Sequence, residues 1–319
     1  MTTKNFVTTT WDSDGARWEC GPHEGETLRN FWNFLLIGVS NGLVYALVAL
    51  GIVLIYRSTR VINFALAAMA MFSTYIAASL IDRNVPYFVA FAAAMLFGFA
   101  LGAVTERFIM RPVESKSPLN AVIVAIGMLI FLEAMAGVIW GAKLRNFPSH
   151  FSLIGLKIGG TRLAISDFDL FIVSVVIVLM LALVVLFRYT KLGLMMRASA
   201  FAPEVARLLG VRVGRMLTLG WGLACAAGAV AGLLAAPKVF LFPNNMDAVL
   251  IFGFTAAIIG GLDSPVGALV GGLITGLALS FIGGYLGSDL ETVGAFVILV
   301  VVLMARPEGI FSSISARRV

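Results

Sequence analysis

Side chains able to carry out covalent or metal chemistry are scarce in this chain of 319 residues. The histidines, His23 and His150, and the cysteines, Cys20 and Cys225, are scattered, and no His/Cys/carboxylate group has metal-ligand spacing. A G-x-S-x-G string occurs at Gly38-Val39-Ser40-Asn41-Gly42, but it lies inside the apolar stretch 31–55 and not at a strand-to-helix turn, so it is no nucleophile elbow; there is no G-x-x-x-x-G-K-[ST] loop to cradle nucleotide phosphates. No catalytic residues, metal ligands or cofactor-binding residues are therefore expected, and an intramembrane enzyme lacks its constellation. What remains is polarity in an apolar setting. Glu133 is the charged residue inside the apolar stretches, and an acid at a helix centre costs roughly 2.5–3.5 kcal/mol on insertion scales, so it is expected to face a cavity or a partner. Asn41, Tyr45, Asn63, Phe64, Tyr75 and Thr255 are weaker candidates for contact with a polar group crossing the same region. Asn63 could equally cap a helix, and Asn41 could bond between helices.

The elements that must position these residues are read from composition. With 60% hydrophobic and 13% charged residues and a mean hydropathy of +0.98, the chain holds more apolar surface than one soluble core could hide. Apolar stretches run 31–55, 62–80, 86–104, 119–141, 170–187, 216–236, 248–262, 265–284 and 292–305. They predict an all-α integral membrane protein, a polytopic bundle of eight or nine segments, and not a barrel of alternating strands. Stretch 248–262 falls short of the roughly 20 residues of a full crossing, so 248–284 reads either as two crossings or as a re-entrant hairpin. Gly98 and Gly102, Gly228 and Gly232, Gly267 and Gly271, and Gly272 and Gly276 stand four apart, a spacing that lets helices approach closely. All 23 Lys and Arg fall in the connections, and placing 188–215 inside splits them 14 to 9 in favour of the cytoplasm. The positive-inside rule then puts the N-terminus outside and the C-terminus inside. Residues 1–30 read as a polar extracytoplasmic tail, 31–305 as the membrane domain and 306–319 as a cytoplasmic tail.

Connection 188–215 is the most basic, with Arg188, Lys191, Arg197, Arg207, Arg212 and Arg215. Inside it, Pro203-Glu204-Val205-Ala206-Arg207-Leu208-Leu209-Gly210 predicts a short helix with Pro at its first position and Gly just past its end. Such a helix suits capture in a groove of another protein; the alternative is a helix lying on the bilayer. The cations of 105–118 (Arg107, Arg111, Lys116) and of the C-terminal tail (Arg306, Arg317, Arg318) would share that face with anionic lipid.

Several stretches, in this order, resemble the LivH-like permeases, the membrane subunits of ATP-binding-cassette importers for branched-chain amino acids and related solutes. They are NGLVYALVALGIVLIYRSTRVINFA (41–65), ERFIMRPVESK (106–116), AIGMLIFLE (125–133), FRYTKLGLMMRASAFAPEVARLLGVRVGRM (187–216), FTAAIIGGLDSPVGALVGGLITG (254–276) and ARPEGIF (305–311). The resemblance covers nearly everything from residue 31 onward. It implies the ABC importer permease fold in the inner membrane, alternating access, and no cofactor in this chain. It also implies two ABC ATPase subunits carrying ATP and Mg, a second permease subunit (a copy or a LivM-like partner) and an extracytoplasmic solute-binding protein; nucleic acid is not an expected partner. Glu204, Ala206 and Gly210 match the family's E-x-A-x-x-x-G core, which makes 203–210 the expected coupling helix. Val205, Leu208 and Leu209 would fill the ATPase groove, with Glu204 and Arg207 at its rim. The rival is an ion-gradient secondary transporter, for which one intramembrane Glu is thin provision. Many family members read I-N-F-A-H-G-E where this chain has Ile62-Asn63-Phe64-Ala65-Leu66-Ala67-Ala68. If the replaced groups sense solute, the cargo is more apolar or differently charged.

Overall fold

The structure, a computed structural model, describes residues 24–114, 118–158, 161–306 and 309–311. Cys20, His23, Lys116, Arg317 and Arg318 lie outside the described residues. The helices are α1 (Glu24–Thr59), α2 (Leu66–Ile81), α3 (Tyr87–Thr105), α4 (Arg111–Glu114), α5 (Pro118–Trp140) and α6 (Asp167–Tyr189), followed by α7 (Lys191–Phe201), α8 (Pro203–Leu208), α9 (Val213–Ala235), α10 (Asp247–Gly260), α11 (Pro265–Leu286) and α12 (Glu291–Ala305). A π-helical turn, Glu106–Met110, joins α3 to α4. Every apolar stretch of the sequence forms a helix. Seven are long and apolar enough to cross a membrane, while α2 and α10 are shorter.

In a bilayer the apolar lipid offers helices no reason to associate, so close packing must hold them together. The central pair is α1 and α9, whose spans are 78% and 72% buried, whereas α12 is only 6% buried and faces outward. Glycines make the approach possible. A Cβ on Gly102 of α3 would lie 2.6 Å from Cys225 Sγ of α9, and one on Gly276 of α11 would meet the backbone of Gly42 in α1. Gly267 and Gly271 turn the adjoining side of α11 against Gly260 and Ala256 of α10. The four glycine pairs seen in the sequence therefore each mark a helix interface.

Contacts sort the connections into two ends. At one, Arg60 donates to Asp263, Arg111 reaches the start of α9, and the N–H groups of Ile310 and Phe311 donate to the carbonyls of Ile259 and Gly260. At the other, Lys238 meets Asp169, and Arg145 pairs with Leu241 by backbone hydrogen bonds in both directions. At 1.5 Å per residue, the 14 residues of α10 reach about 21 Å, short of the roughly 30 Å hydrocarbon core. It begins at the level of Glu133 in α5 and leaves at the Arg60 end, antiparallel to α11.

The all-α expectation needs one addition. Connection 142–169 contains a two-stranded antiparallel hairpin, β1 (Gly155–Ile158) and β2 (Thr161–Ser166), with Lys157 opposite Arg162. Its last residue starts α6: the Ser166 hydroxyl accepts the Asp169 N–H while the Asp169 carboxylate accepts the Ser166 N–H, a reciprocal cap.

Candidate functional site

The basic connection folds as two helices in series. Thr190 caps α7 through the Gly193 N–H, and Pro203 occupies the first turn of α8, where its missing donor costs nothing. The N–H of Gly210 donates to the Arg207 carbonyl and that of Val211 to the Ala206 carbonyl, the two bonds of a Schellman ending. That ending needs a left-handed residue, and Gly210 supplies it at φ +83°. Ala206 is the buried residue of α8, while Leu208 and Leu209 are 88% and 76% exposed, with Val205 and Phe201 also exposed. Glu204 and Arg207 pair at 3.0 Å in full view of solvent. The small and glycine positions of 204–210 thus have separate physical reasons. Ala lets the helix sit down, Gly ends it, and the leucines are left outside.

The helix that follows, α9, is anchored at its base by a cluster absent from the sequence-level candidates. Glu106 is fully buried. Its carboxylate accepts from Arg111 Nε at 3.0 Å and Nη2 at 2.8–2.9 Å, and from the Thr218 hydroxyl at 2.7 Å. Arg111 Nη2 also donates to the Gly214 carbonyl at 2.6 Å. Residues five apart on an ordinary helix point about 140° apart, but the π-turn, with its Arg111 N–H to Glu106 carbonyl bond, brings them to one face. Nearby on the same end, the hydrogen bond to Asp263 holds the Arg60 guanidinium above its ordinary value.

Just beyond the far end of α9, Lys238 Nζ donates to Asp169 Oδ1 at 2.7 Å, to the Ser40 hydroxyl at 3.0 Å and to Asn41 Oδ1 at 3.2 Å. Asn41 and Tyr45 also line a cavity of about 220 Å³ with Phe34, Ser280 and Glu291. Glu133 stands elsewhere: it accepts from Asn244 Nδ2 at 3.0 Å, and Asn244 in turn reaches Asp247. Asn63 is buried and accepts the Ala65 N–H, Thr255 is buried and donates to the Ile251 carbonyl, and Phe64 packs near Phe254. Tyr75 is buried and stacks on Trp140. The pathway candidates therefore do not gather in one place among the described residues, although Asn41 and Tyr45 line one cavity together.

Asp169, Glu106 and Glu291 escaped the sequence reading because they sit at the ends of stretches, where the helices extend beyond the apolar runs. Leu66, at the departure from I-N-F-A-H-G-E, is buried between α1 and α9, against the faces of Gly51 and Gly228. It fills the core and does not line the cavity of Asn41 and Tyr45.

Comparison with known proteins places this architecture. Residues 34–305 match the family described as branched-chain amino acid transport system / permease component. The high-affinity branched-chain amino acid transport system permease protein LivH of Salmonella typhimurium is 32% identical over 86% of this chain and 92% of its own. BraD of Pseudomonas aeruginosa, named for the same kind of system, is 30% identical over 86% and 94%. The ribose import permease protein RbsC of Escherichia coli K12 is more distant, at 26% identity over 78% and 76%. With a multi-pass helical bundle and a match over most of its length, this chain belongs to the branched-chain amino acid transport permease family.

Proposed function

We propose that this chain is the permease subunit of an ABC importer that moves branched-chain amino acids, or a related small organic solute, inward across the inner membrane by alternating access. The observation that carries the mechanism is α8: a helix seated through Ala206, ended at Gly210, and presenting Val205, Leu208 and Leu209 to a partner. On this reading it docks in an apolar groove of a separate ATPase, one of two, which holds ATP and Mg, and this chain needs no cofactor of its own. The end bearing α7 and α8 is cytoplasmic, as the positive-inside count favours, so the N-terminus is outside and the C-terminus inside. A second permease subunit, a copy or a LivM-like partner, completes the membrane unit, and an extracytoplasmic binding protein delivers solute. Residues 203–209 pass ATPase closure to α6 and α9 as a rigid body.

Reconstitution with the cognate ATPase and binding protein tests this. Reversing charge in Glu204→Lys, or forcing a β-branched residue into a left-handed turn in Gly210→Val, should uncouple hydrolysis from uptake. Unchanged solute-stimulated hydrolysis in both variants sinks the lever. Glu133→Leu should change uptake kinetics while leaving assembly intact, and normal kinetics would return Glu133 to a packing role.

A further inference from the structure

A small, mostly apolar cavity at the α7–α8 end of the bundle carries polar side chains that the transport mechanism does not use. Its volume is about 40 Å³, room for one tetrahedral oxyanion or a few waters. Three walls come from α1, α7 and α9, with Phe187 of α6 closing the side. The floor is apolar, from Leu54, Met196 and Met216.

Two guanidiniums line this space, Arg57 of α1, half-buried, and Arg197 of α7, exposed. Neither forms an ion pair or hydrogen bond among the described residues; Arg57 is attracted by Asp263, the partner of Arg60, and repelled by Arg197 and Arg60. The nearby Arg60 adds a further positive charge, matched by its own partner Asp263. Of the two serines on the lining, Ser58 donates to the Ile55 carbonyl, whereas the Ser199 hydroxyl, on a residue only 4% exposed, has no hydrogen-bond partner and is the third unbonded polar group. A buried hydroxyl left unsatisfied costs about 1–3 kcal/mol, so the site is incomplete as it stands. An anion offering several acceptor oxygens would satisfy all three at once, and planar guanidiniums suit phosphate oxygens in particular.

We propose that the cavity between α1, α6, α7 and α9 binds a phosphate group through Arg57, Arg197 and Ser199, presented either by a phospholipid headgroup or as free phosphate. The bound group joins α7, which leads directly into α8, to the ends of α1 and α9. Occupancy thereby sets the position of the segment that bears the exposed leucines.

The test uses delipidated full-length protein in detergent, titrated separately with dihexanoylphosphatidylglycerol and with sodium phosphate. Thermal unfolding midpoint and bound mass by native mass spectrometry are the readouts. At least one probe should bind saturably, with about tenfold weaker binding in Arg57→Gln and Arg197→Gln, about threefold weaker binding in Ser199→Ala, and no change in the exposed control Arg188→Gln. Binding of the lipid alone assigns the site to a headgroup; binding of inorganic phosphate as well shows that the phosphate group suffices. Because Arg197 is exposed and the Ser199 hydroxyl is unbonded, those two variants should fold normally. Absence of saturable binding of either probe to the unaltered protein, or unaltered affinity in both Arg197→Gln and Ser199→Ala, overturns the proposal.

Discussion

The two ends of α9 are held by ion pairs of opposite character. At the base, a fully buried carboxylate is gripped by a guanidinium only five residues away and by a hydroxyl of α9 itself. Beyond the far end, three remote segments meet through Lys238, a flexible point charge 26% exposed, on Asp169. The base thus joins α3 and α9 into one body, and the far end is a joint whose parts come from separate elements. Helix α9 between the clamps, 23 residues or about 35 Å, is long enough to span a hydrocarbon core roughly 30 Å thick. A bundle pushed at α8 is expected to keep the first and loosen the second.

Substitutions can break or sharpen this contrast. Arg111→Gln strands a buried carboxylate and should cost about 3–5 kcal/mol in unfolding free energy, the largest effect in the molecule. Lys238→Met should cost less, about 1–3 kcal/mol, because Asp169 keeps its bonds to Ser40 and Ser166. Reversible denaturation in detergent measures both, and equal losses would erase the distinction. Ser166→Ala removes the helix cap and the hydroxyl's bond to the Asp169 carboxylate, which keeps the Ser166 N–H, and should cost about 1 kcal/mol. Arg60→Gln breaks an exposed pair and should shift stability by no more than about 0.5 kcal/mol. A larger loss there would mean that the base is held by its rim and not by its buried core.

The sequence and the structure part company along the same line. Periodicity and length suffice for the spans, because a bilayer demands long apolar helices whatever they pack against. Helix α8 is legible for a local reason: Pro203 and Gly210 fix its ends without help from the rest of the chain. Neither clamp is legible. Glu106 and Arg111 look like loop charges until a π-turn aligns them, and Ser40 lies 129 residues from Asp169, a pairing that no local pattern encodes. The β1–β2 hairpin was missed because strands of four and six residues leave too brief an alternation to register. The glycine pairs announced close approach but not their partners, since spacing identifies a face and only the fold supplies what it touches.

The backbone bonds from Ile310 and Phe311 to the end of α10 give the fold a temporal order. The carbonyls of Ile259 and Gly260 are synthesised about fifty residues before the donors that satisfy them, and within or beside lipid a bare carbonyl is expensive. A chain interrupted before residue 309 would emerge with that exit uncapped, and the half-made product would carry an exposed polar mark of its own incompleteness.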